Sequence, residues 1–327
     1  MGVVSVVVFV AFIIDLVIGD PEGFPHPVIY MGRLIKYLER LVRLRFKSLK
    51  MGGLAIWLVL VGITYSMSIF ISNIFGLILG PMGAWALWGF LLDTGISIIL
   101  MATCLSTRCL ALEAKKVYKK LIEGDIKETR LQLSYIVGRD TSSLSESEII
   151  RATVETVAEN TVDGTISPIF FAMLGGVPLA MVYKAVNTMD SMLGYKNEKY
   201  INIGRYPAIL DDVFNFIPAR LSLLFFTVAS AICGYDWRKC LEIGYRDRKN
   251  HKSPNCAYSE GAVAGALCIQ LGGTNVYFGQ EVYKPTIGDK TRDLQAEDIL
   301  SSIKLLYVTS IVSLLALLAF RAIVFYL

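Results

Sequence analysis

The 327 residues contain only two histidines, His26 and His251, too few to build a His-rich zinc site. Six cysteines (Cys104, Cys109, Cys233, Cys240, Cys256 and Cys268) form no CxxC pair and lack the density of a disulfide scaffold. Neither a structural zinc nor a disulfide framework is therefore expected. No GxxxxGK(S/T), no GxGxxG after a strand, no HExxH and no nucleophile elbow is present, which removes the usual supports for a P-loop ATPase, a dinucleotide-binding enzyme or a zinc protease. Charge is also scarce. Charged residues make up 18% of the chain, against roughly a quarter in an average soluble protein. The net charge of +4 is small and its basic residues lie in loops beside apolar runs. That pattern follows the positive-inside rule and excludes nucleic acid as a partner.

What the chain does have is apolar sequence, 54% of it, spread from end to end with a mean hydropathy of +0.54. We read an all-α integral membrane protein: a multi-pass helical bundle forming one membrane-embedded domain over residues 1–327, in contact with membrane lipid. Apolar helices are expected at about 2–19, 54–79, 84–105, 166–186, 213–233 and 303–327. The first is not read as a signal peptide, because no basic segment precedes it and no small-residue cleavage site follows. Residues 106–164 form a cytoplasmic helical insertion, expected as helices at about 108–122, 126–137 and 146–160, with Ser145 and Glu148 as a capping box for the third. Residues 236–300 form a basic loop segment, with a short hairpin around Gly279. The loops at 33–50, 106–164, 187–206 and 236–300 all read as cytoplasmic, and successive single spans cannot place them all on one side. Broken or re-entrant helices resolve the conflict, and Gly175-Gly176 with Pro178 mark one such break.

Acidic and amide residues recur in three clusters between Arg151 and Arg220. The first is Glu155, Glu159, Asn160 and Asp163; the second is Asn187 and Asp190, with Lys196 following; the third is Asp211, Asp212 and Asn215, with Arg220 just past Pro218. Carboxylates beside lipid-facing sequence are costly to desolvate and normally serve a polar cavity. Glu155 and Glu159 share a helix face, and like charges so placed near a helix C-terminus are destabilising unless a cation intervenes. Oxygen ligands of this kind suit Mg²⁺ held against a phosphate. Asp15, inside the first apolar helix, is either an interfacial carboxylate or one that faces a site. The Pro-rich turn GDPEGFPHP at 19–27 offers Asp20 and His26 at a membrane edge.

The sharpest basic motif is YRDRKNHKSPN at 245–255. There Arg246, Arg248, Lys249 and Lys252 surround His251, and Asn255 closes the stretch before a run of small residues, an arrangement suited to phosphate oxygens. Carboxylates plus a basic loop fit Mg²⁺-dependent chemistry on a phosphorylated substrate. Intramembrane prenyl transfer also fits, since NTMD and LDDVFN loosely resemble Asp-rich diphosphate motifs. A carrier for an anionic solute is the non-enzyme alternative.

Five phrases in order, DLVIGDPEGFPHPVIYMGRLI, ETVAENTVDGTISPIFF, GGVPLAMVYKAVNTMDSMLGYK, LDDVFNFIPARL and RDRKNHKSPNCAYSEGAVAGAL, resemble the CobD/CbiB family of cobalamin biosynthesis, from about Asp15 to Gly288. The resemblance implies an adenosylcobinamide-phosphate synthase of the cell membrane with its active site on the cytoplasmic side. Such an enzyme joins adenosylcobyric acid to (R)-1-amino-2-propanol or its O-phosphate, with ATP and Mg²⁺. On that implication Glu155, Glu159, Asp163, Asp190, Asp211 and Asp212 include the Mg²⁺–ATP ligands, with Glu159, Asp163, Asp190 and Asp211 on the metal; Arg246, Arg248, Lys249 and Lys252 hold phosphate, and His251 or a carboxylate takes the amine's proton. Asp20, His26, Asn160, Asn187, Lys196, Asn215, Arg220 and Asn255 complete the substrate-binding set. A homo-oligomer and contacts with other corrinoid-pathway enzymes are further implied partners. A membrane family resembling the AmpE signalling protein is the non-catalytic alternative; an intact acidic set and an intact RDRKNHKSPN tell against it.

Overall fold

The computed structural model describes residues 2–21, 23–277 and 280–326. In chain order its helices are α1 (Val3–Val17), α2 (Pro27–Arg45), α3 (Leu49–Ile71), α4 (Ile74–Leu79), α5 (Ala86–Ala102), α6 (Thr107–Ile122), α7 (Ile126–Ser134), α8 (Glu146–Thr161), α9 (Ser167–Leu193), α10 (Arg205–Phe214), α11 (Phe216–Cys233), α12 (Trp237–Arg246), α13 (Cys256–Leu267) and α14 (Glu297–Tyr326). A tight turn at Gly80–Trp85 joins α4 to α5, and a wide helical turn at Val162–Ile166 joins α8 to α9. The antiparallel hairpin β1 (Leu271–Tyr277) and β2 (Gln280–Ile287) is the one sheet among the described residues. It bears out the expected hairpin, although Phe278 and Gly279 lie outside the described residues.

Five helical stretches among the described residues are long and apolar enough to cross a membrane: Leu49–Ile71, Ala86–Ile122, Glu146–Leu193, Phe216–Cys233 and Glu297–Val324. The expectation of an all-α multi-pass membrane protein is met. The first apolar segment is shorter than expected, because α1 has 15 residues, about 22 Å at 1.5 Å per residue, against a hydrocarbon core of about 30 Å. The expected span 54–79 is split into α3 and α4. Asp93 explains the split: its carboxylate accepts the N–H groups of Phe75 (3.0 Å) and Gly76 (2.7 Å), donors that a new helix start leaves without a partner.

The chain forms two compact units. The first comprises residues 1–106, 167–214 and 317–327. Close approach at α3 needs glycine, since a Cβ on Gly53 would lie 2.0 Å from the Ile203 carbonyl oxygen. The α9 helix is broken where the Gly-Gly-Pro signature predicts, with Gly175 at φ −141°, ψ 25° and Gly176 at φ 70°. Pro178 cannot donate to the preceding turn, and the Arg321 guanidinium donates to the Met173 carbonyl at this break. Phe171 stacks on Tyr183 (5.3 Å) and on Phe214 (5.2 Å), which sets the end of α10 against α9.

The second unit comprises residues 107–166 and 215–316. Its core takes Leu110, Ala114 and Val117 of α6, Leu133 of α7, Ile149, Val154 and Val157 of α8, Phe226 of α11 and Ile299 and Leu306 of α14. The small residues of α13 let it lie backbone to backbone on α12: a Cβ on Gly261 would sit 3.0 Å from the Gly244 Cα, and one on Gly265 would sit 2.2 Å from the Lys239 carbonyl oxygen. Arg292 fastens the start of α14. It grips Asp298 at 2.5 and 2.9 Å and donates to the Leu267 carbonyl at the end of α13.

Because the obstacle at Gly265 is main chain, Gly265→Ala must force α12 and α13 apart. The expected cost is about 1–3 kcal/mol, read as a lower thermal unfolding midpoint of the detergent-purified chain; an unchanged midpoint would contradict this packing.

Candidate functional site

In the second unit the acidic helix meets the basic loop. α8 begins with the expected capping box: the Ser145 N–H donates to Glu148 (2.8 Å) and the Ser145 hydroxyl accepts the Glu148 N–H (3.4 Å). It does not end where its acidic residues stand. The chain runs on through Val162–Ile166 into α9, so Glu159 and Asp163 lie within continuous helix and escape the negative pole of a free C-terminus.

Glu155 is 1% exposed and fully engaged. Its Oε2 accepts from Arg139 Nη2 at 2.7 Å, its Oε1 accepts the Gly272 N–H at 2.9 Å, and Arg151 Nε lies 3.9 Å away. Arg151 also donates to the Thr274 carbonyl (2.9 Å). Gly272 (φ 80°) and Gly273 (φ 90°) form the irregularity in β1 that makes both contacts possible; a Cβ on Gly273 would sit 2.9 Å from Arg151 Nη1. Two arginines and one backbone donor therefore supply the counter-charge that the Glu155–Glu159 pair requires. One turn later Glu159 is half-buried, and its Oε1 accepts the Cys256 thiol at 3.1 Å. Burial, and then the charge of Glu159, push that thiol well above its ordinary range, so it is no nucleophile. Asn160 is turned to the Thr156 carbonyl (2.9 Å), and Asp163 is half-buried.

The 245–255 loop divides its cations. Arg246 is held at both ends by Asp247 (2.8 Å) and by Asp289 (3.0 Å), and Arg248 lies on the Tyr245 ring (3.8 Å). Burial raises the Asp247 carboxyl, but Arg246 and the Gly288 N–H more than offset this and hold it below the usual range. Lys249 and Lys252 stand exposed, the two cations of the motif most open to an arriving anion. Asn255 is buried and accepts from Arg220 Nη1 (3.0 Å), which lies between the rings of Phe216 (3.5 Å) and Tyr258 (4.7 Å). Asn215 is buried in the link between α10 and α11.

His251 Nδ1 accepts the Ser253 N–H at 3.0 Å, which puts the proton of the neutral ring on Nε2. That atom is buried with no hydrogen-bond partner among the described residues, as are both carboxyl oxygens of Glu260. Burial, reinforced by the positive Lys284, pushes His251 down to about 4. Burial, reinforced by the negative Glu155, pushes Glu260 well above the usual carboxylate range. At neutral pH the cluster thus holds a neutral imidazole and a neutral carboxylic acid beside Glu155, Glu159 and Lys284.

The second and third acidic clusters meet in the first unit. Asn187 and Asp190 ride on α9, which continues to Leu193 where a loop was expected, while Asp211 and Asp212 lie on α10. Asn187 Nδ2 is 3.5 Å from Asp211 Oδ1. Asp190 Oδ1 lies where a Cβ on Gly194 would be, 2.0 Å away, so glycine makes room for that carboxylate. Lys196 is exposed just beyond. At the Pro-rich turn, His26 Nδ1 caps α2 by accepting the Val28 N–H (3.2 Å), and its Nε2 is 3.6 Å from Asp20. Asp15 is buried in α1.

Among the described residues no three His, Cys, Asp or Glu converge as a metal cage. Mg²⁺ seldom uses one; it is usually bound through one or two carboxylates together with substrate phosphates and water. Half-buried Glu159 and Asp163, one turn apart, and Asp190 and Asp211 in the other unit, are carboxylates of that kind.

Arg139, Arg151, Cys256 and Lys284 join the cluster without standing out as site residues in the sequence, where Glu260 is legible as the carboxylate that follows the basic loop. Arg151 carried a signal, standing four residues before Glu155, and Glu260 carried another as a lone carboxylate in a small-residue helix. Arg139 and Lys284 come from a loop and a hairpin and carried none.

A model of the CobD/Cbib protein family matches residues 8–306. The chain is 50% identical over 314 residues to the cobalamin biosynthesis protein CobD of Clostridium tetani, covering 94% of each. It is 50% identical over 316 residues to CobD of Citrobacter koseri (95% of this chain, 96% of the relative). It is 48% identical over 316 residues to the cobalamin biosynthesis protein CbiB of Salmonella typhimurium, with the same coverage. No solved structure matches.

The lowered His251 makes stability depend on pH. Unfolding returns it to about 6.5, so below that value the unfolded chain binds a proton that the folded one refuses, and stability falls until pH reaches about 4. The full loss is at most about 3 kcal/mol. His251→Asn, which preserves an acceptor for Ser253, is expected to show a smaller drop in unfolding midpoint between pH 7 and pH 5 than the parent chain; equal drops would refute the assignment.

Proposed function

The chain belongs to the CobD/Cbib family, and from that membership we propose that it is the ATP-dependent ligase joining adenosylcobyric acid to (R)-1-amino-2-propanol or its O-phosphate. Its role lies in cobalamin biosynthesis. The observation that carries the ligase reading is the contact of Cys256 with Glu159, which sets the acidic helix against the helix that the basic loop opens.

A carboxylate and an ammonium do not condense unaided. In the proposed reaction a corrinoid propionate oxygen takes the γ-phosphoryl group and ADP leaves. The neutral amine then attacks the acyl carbon, the C–O bond to phosphate breaks as the C–N bond forms, and phosphate departs. Lys249 and Lys252 stand ready for phosphate oxygens. Each unit offers a pair of carboxylates that would hold Mg²⁺, Glu159 and Asp163 in one and Asp190 and Asp211 in the other, and the ion when bound neutralises charge on the transferring phosphoryl group. Glu155 is spent on Arg139 and Gly272 and acts by positioning α8 against the hairpin. With its ring held down to about 4, His251 at neutral pH is tuned to donate its Nε2 hydrogen to an oxygen more than to accept a proton. The ammonium proton then falls to a carboxylate of the acidic set that does not hold the metal.

Purified protein in detergent, given adenosylcobyric acid, aminopropanol phosphate and Mg²⁺–ATP, is expected to form the corrinoid amide and ADP together, followed by mass spectrometry. Glu159→Gln and Asp211→Asn are each expected to lower kcat by about 10²-fold or more. Product that survives both changes would move the metal site elsewhere. Corrinoid bound without any product would overturn the ligase reading in favour of a sensor or carrier.

A further inference from the structure

The helix α12 has an outer face that the proposed chemistry does not use. Cys240, Ile243 and Gly244 turn inward. Outward stand Trp237 (45% exposed), Leu241 (39%) and Tyr245 (60%), four residues apart and so in one stripe. Leu241 and Tyr245 help to line a shallow open cleft with Glu242, Arg246 and Arg248. Cations flank the stripe: Arg238 lies over the Trp237 ring (5.3 Å) and Arg248 over the Tyr245 ring (3.8 Å).

The position of this helix says what covers it. α12 follows α11, a candidate membrane span, after a short turn at Gly234 (φ 79°). The outward residues Leu224, Val228 and Ile232 of α11 carry a lipid-grade surface to its last turn. At the same end, Lys304 near the start of α14 donates to the Cys233 carbonyl (3.2 Å) and faces the Tyr235 ring. The end of one span and the beginning of another thus share an edge, and α12 starts from it. Amphipathic aromatic rings with arginines beside them are what the water–hydrocarbon boundary of an anionic leaflet selects. We propose that α12 is an interfacial helix, with Trp237, Leu241 and Tyr245 lying in the boundary of an anionic phospholipid leaflet and Arg238 and Arg248 reaching its headgroups. The proposal does not depend on the ligase reading.

The test uses the full chain labelled with 5-fluorotryptophan and reconstituted in phosphatidylcholine–phosphatidylglycerol vesicles, with the Trp237 fluorine resonance assigned by its loss in Trp237→Phe. Lipid carrying a spin label near its headgroup is expected to broaden that resonance at least roughly twofold, while a water-soluble relaxation agent leaves it little changed. Arg238→Glu with Arg248→Glu is expected to reduce the lipid effect while the other tryptophan resonances keep their positions. A Trp237 signal broadened by the aqueous agent and untouched by labelled lipid would overturn the proposal, showing a water-facing stripe. A signal shielded from both would overturn it too, showing a surface covered by protein.

Discussion

A carboxylate with almost no access to water, Glu155, is the constraint on which the second unit turns. An ion of that size taken out of water costs several kcal/mol even after relaxation, and the cost is met only when every oxygen finds a good partner. Here the partners come from three places: Arg139 from the α7–α8 loop, Arg151 one turn back on α8, and the Gly272 N–H from the irregular strand β1. Breaking such a pair costs about 3–5 kcal/mol because the remaining charge is left buried. One carboxylate thereby fastens a loop, a helix and a hairpin to each other. Burial, reinforced by that negative charge, keeps the proton on Glu260, and Glu159, one turn further on, is half-buried.

Helix continuity is the second determinant. An acidic C-terminus after Asp163 would set carboxylates against the helix dipole. The chain instead carries on through the wide turn at Val162–Ile166, and the break comes later, at Gly175-Gly176, where the Arg321 guanidinium serves a carbonyl near the break. In an apolar setting such repairs are obligatory, since no water is present to satisfy the backbone. Asp93 of α5, accepting N–H groups at the start of α4, does the same work with opposite polarity.

Much of this architecture is legible in the sequence. The Ser145–Glu148 cap, the break at Gly175-Gly176 and the hairpin at 271–287 each follow from local chemistry: a reciprocal cap, a left-handed glycine before a proline, and a turn-rich stretch after a helix. The helical spans follow from apolar length alone. The acidic and basic motifs were legible as motifs, but their internal division was not. Glu155 and Glu159 look alike in sequence, yet one is spent on arginines and the other meets a thiol, because Arg139 and Gly272 arrive from 16 residues before and 117 residues after Glu155. The same holds for Arg246, which the motif offers as a phosphate cation and which Asp247 and Asp289 already occupy. Long-range partners of this sort leave no local periodicity to read.

The central functional claim is that the corrinoid carboxylate is activated by phosphorylation before the amine attacks. Adenosylcobyric acid labelled with oxygen-18 in the reacting carboxylate tests it most directly. One labelled oxygen is expected in the inorganic phosphate released with each amide formed, because the carboxylate oxygen leaves on phosphorus when the C–N bond closes. Amide formed with wholly unlabelled phosphate would contradict it, since the oxygen would then have left by another route.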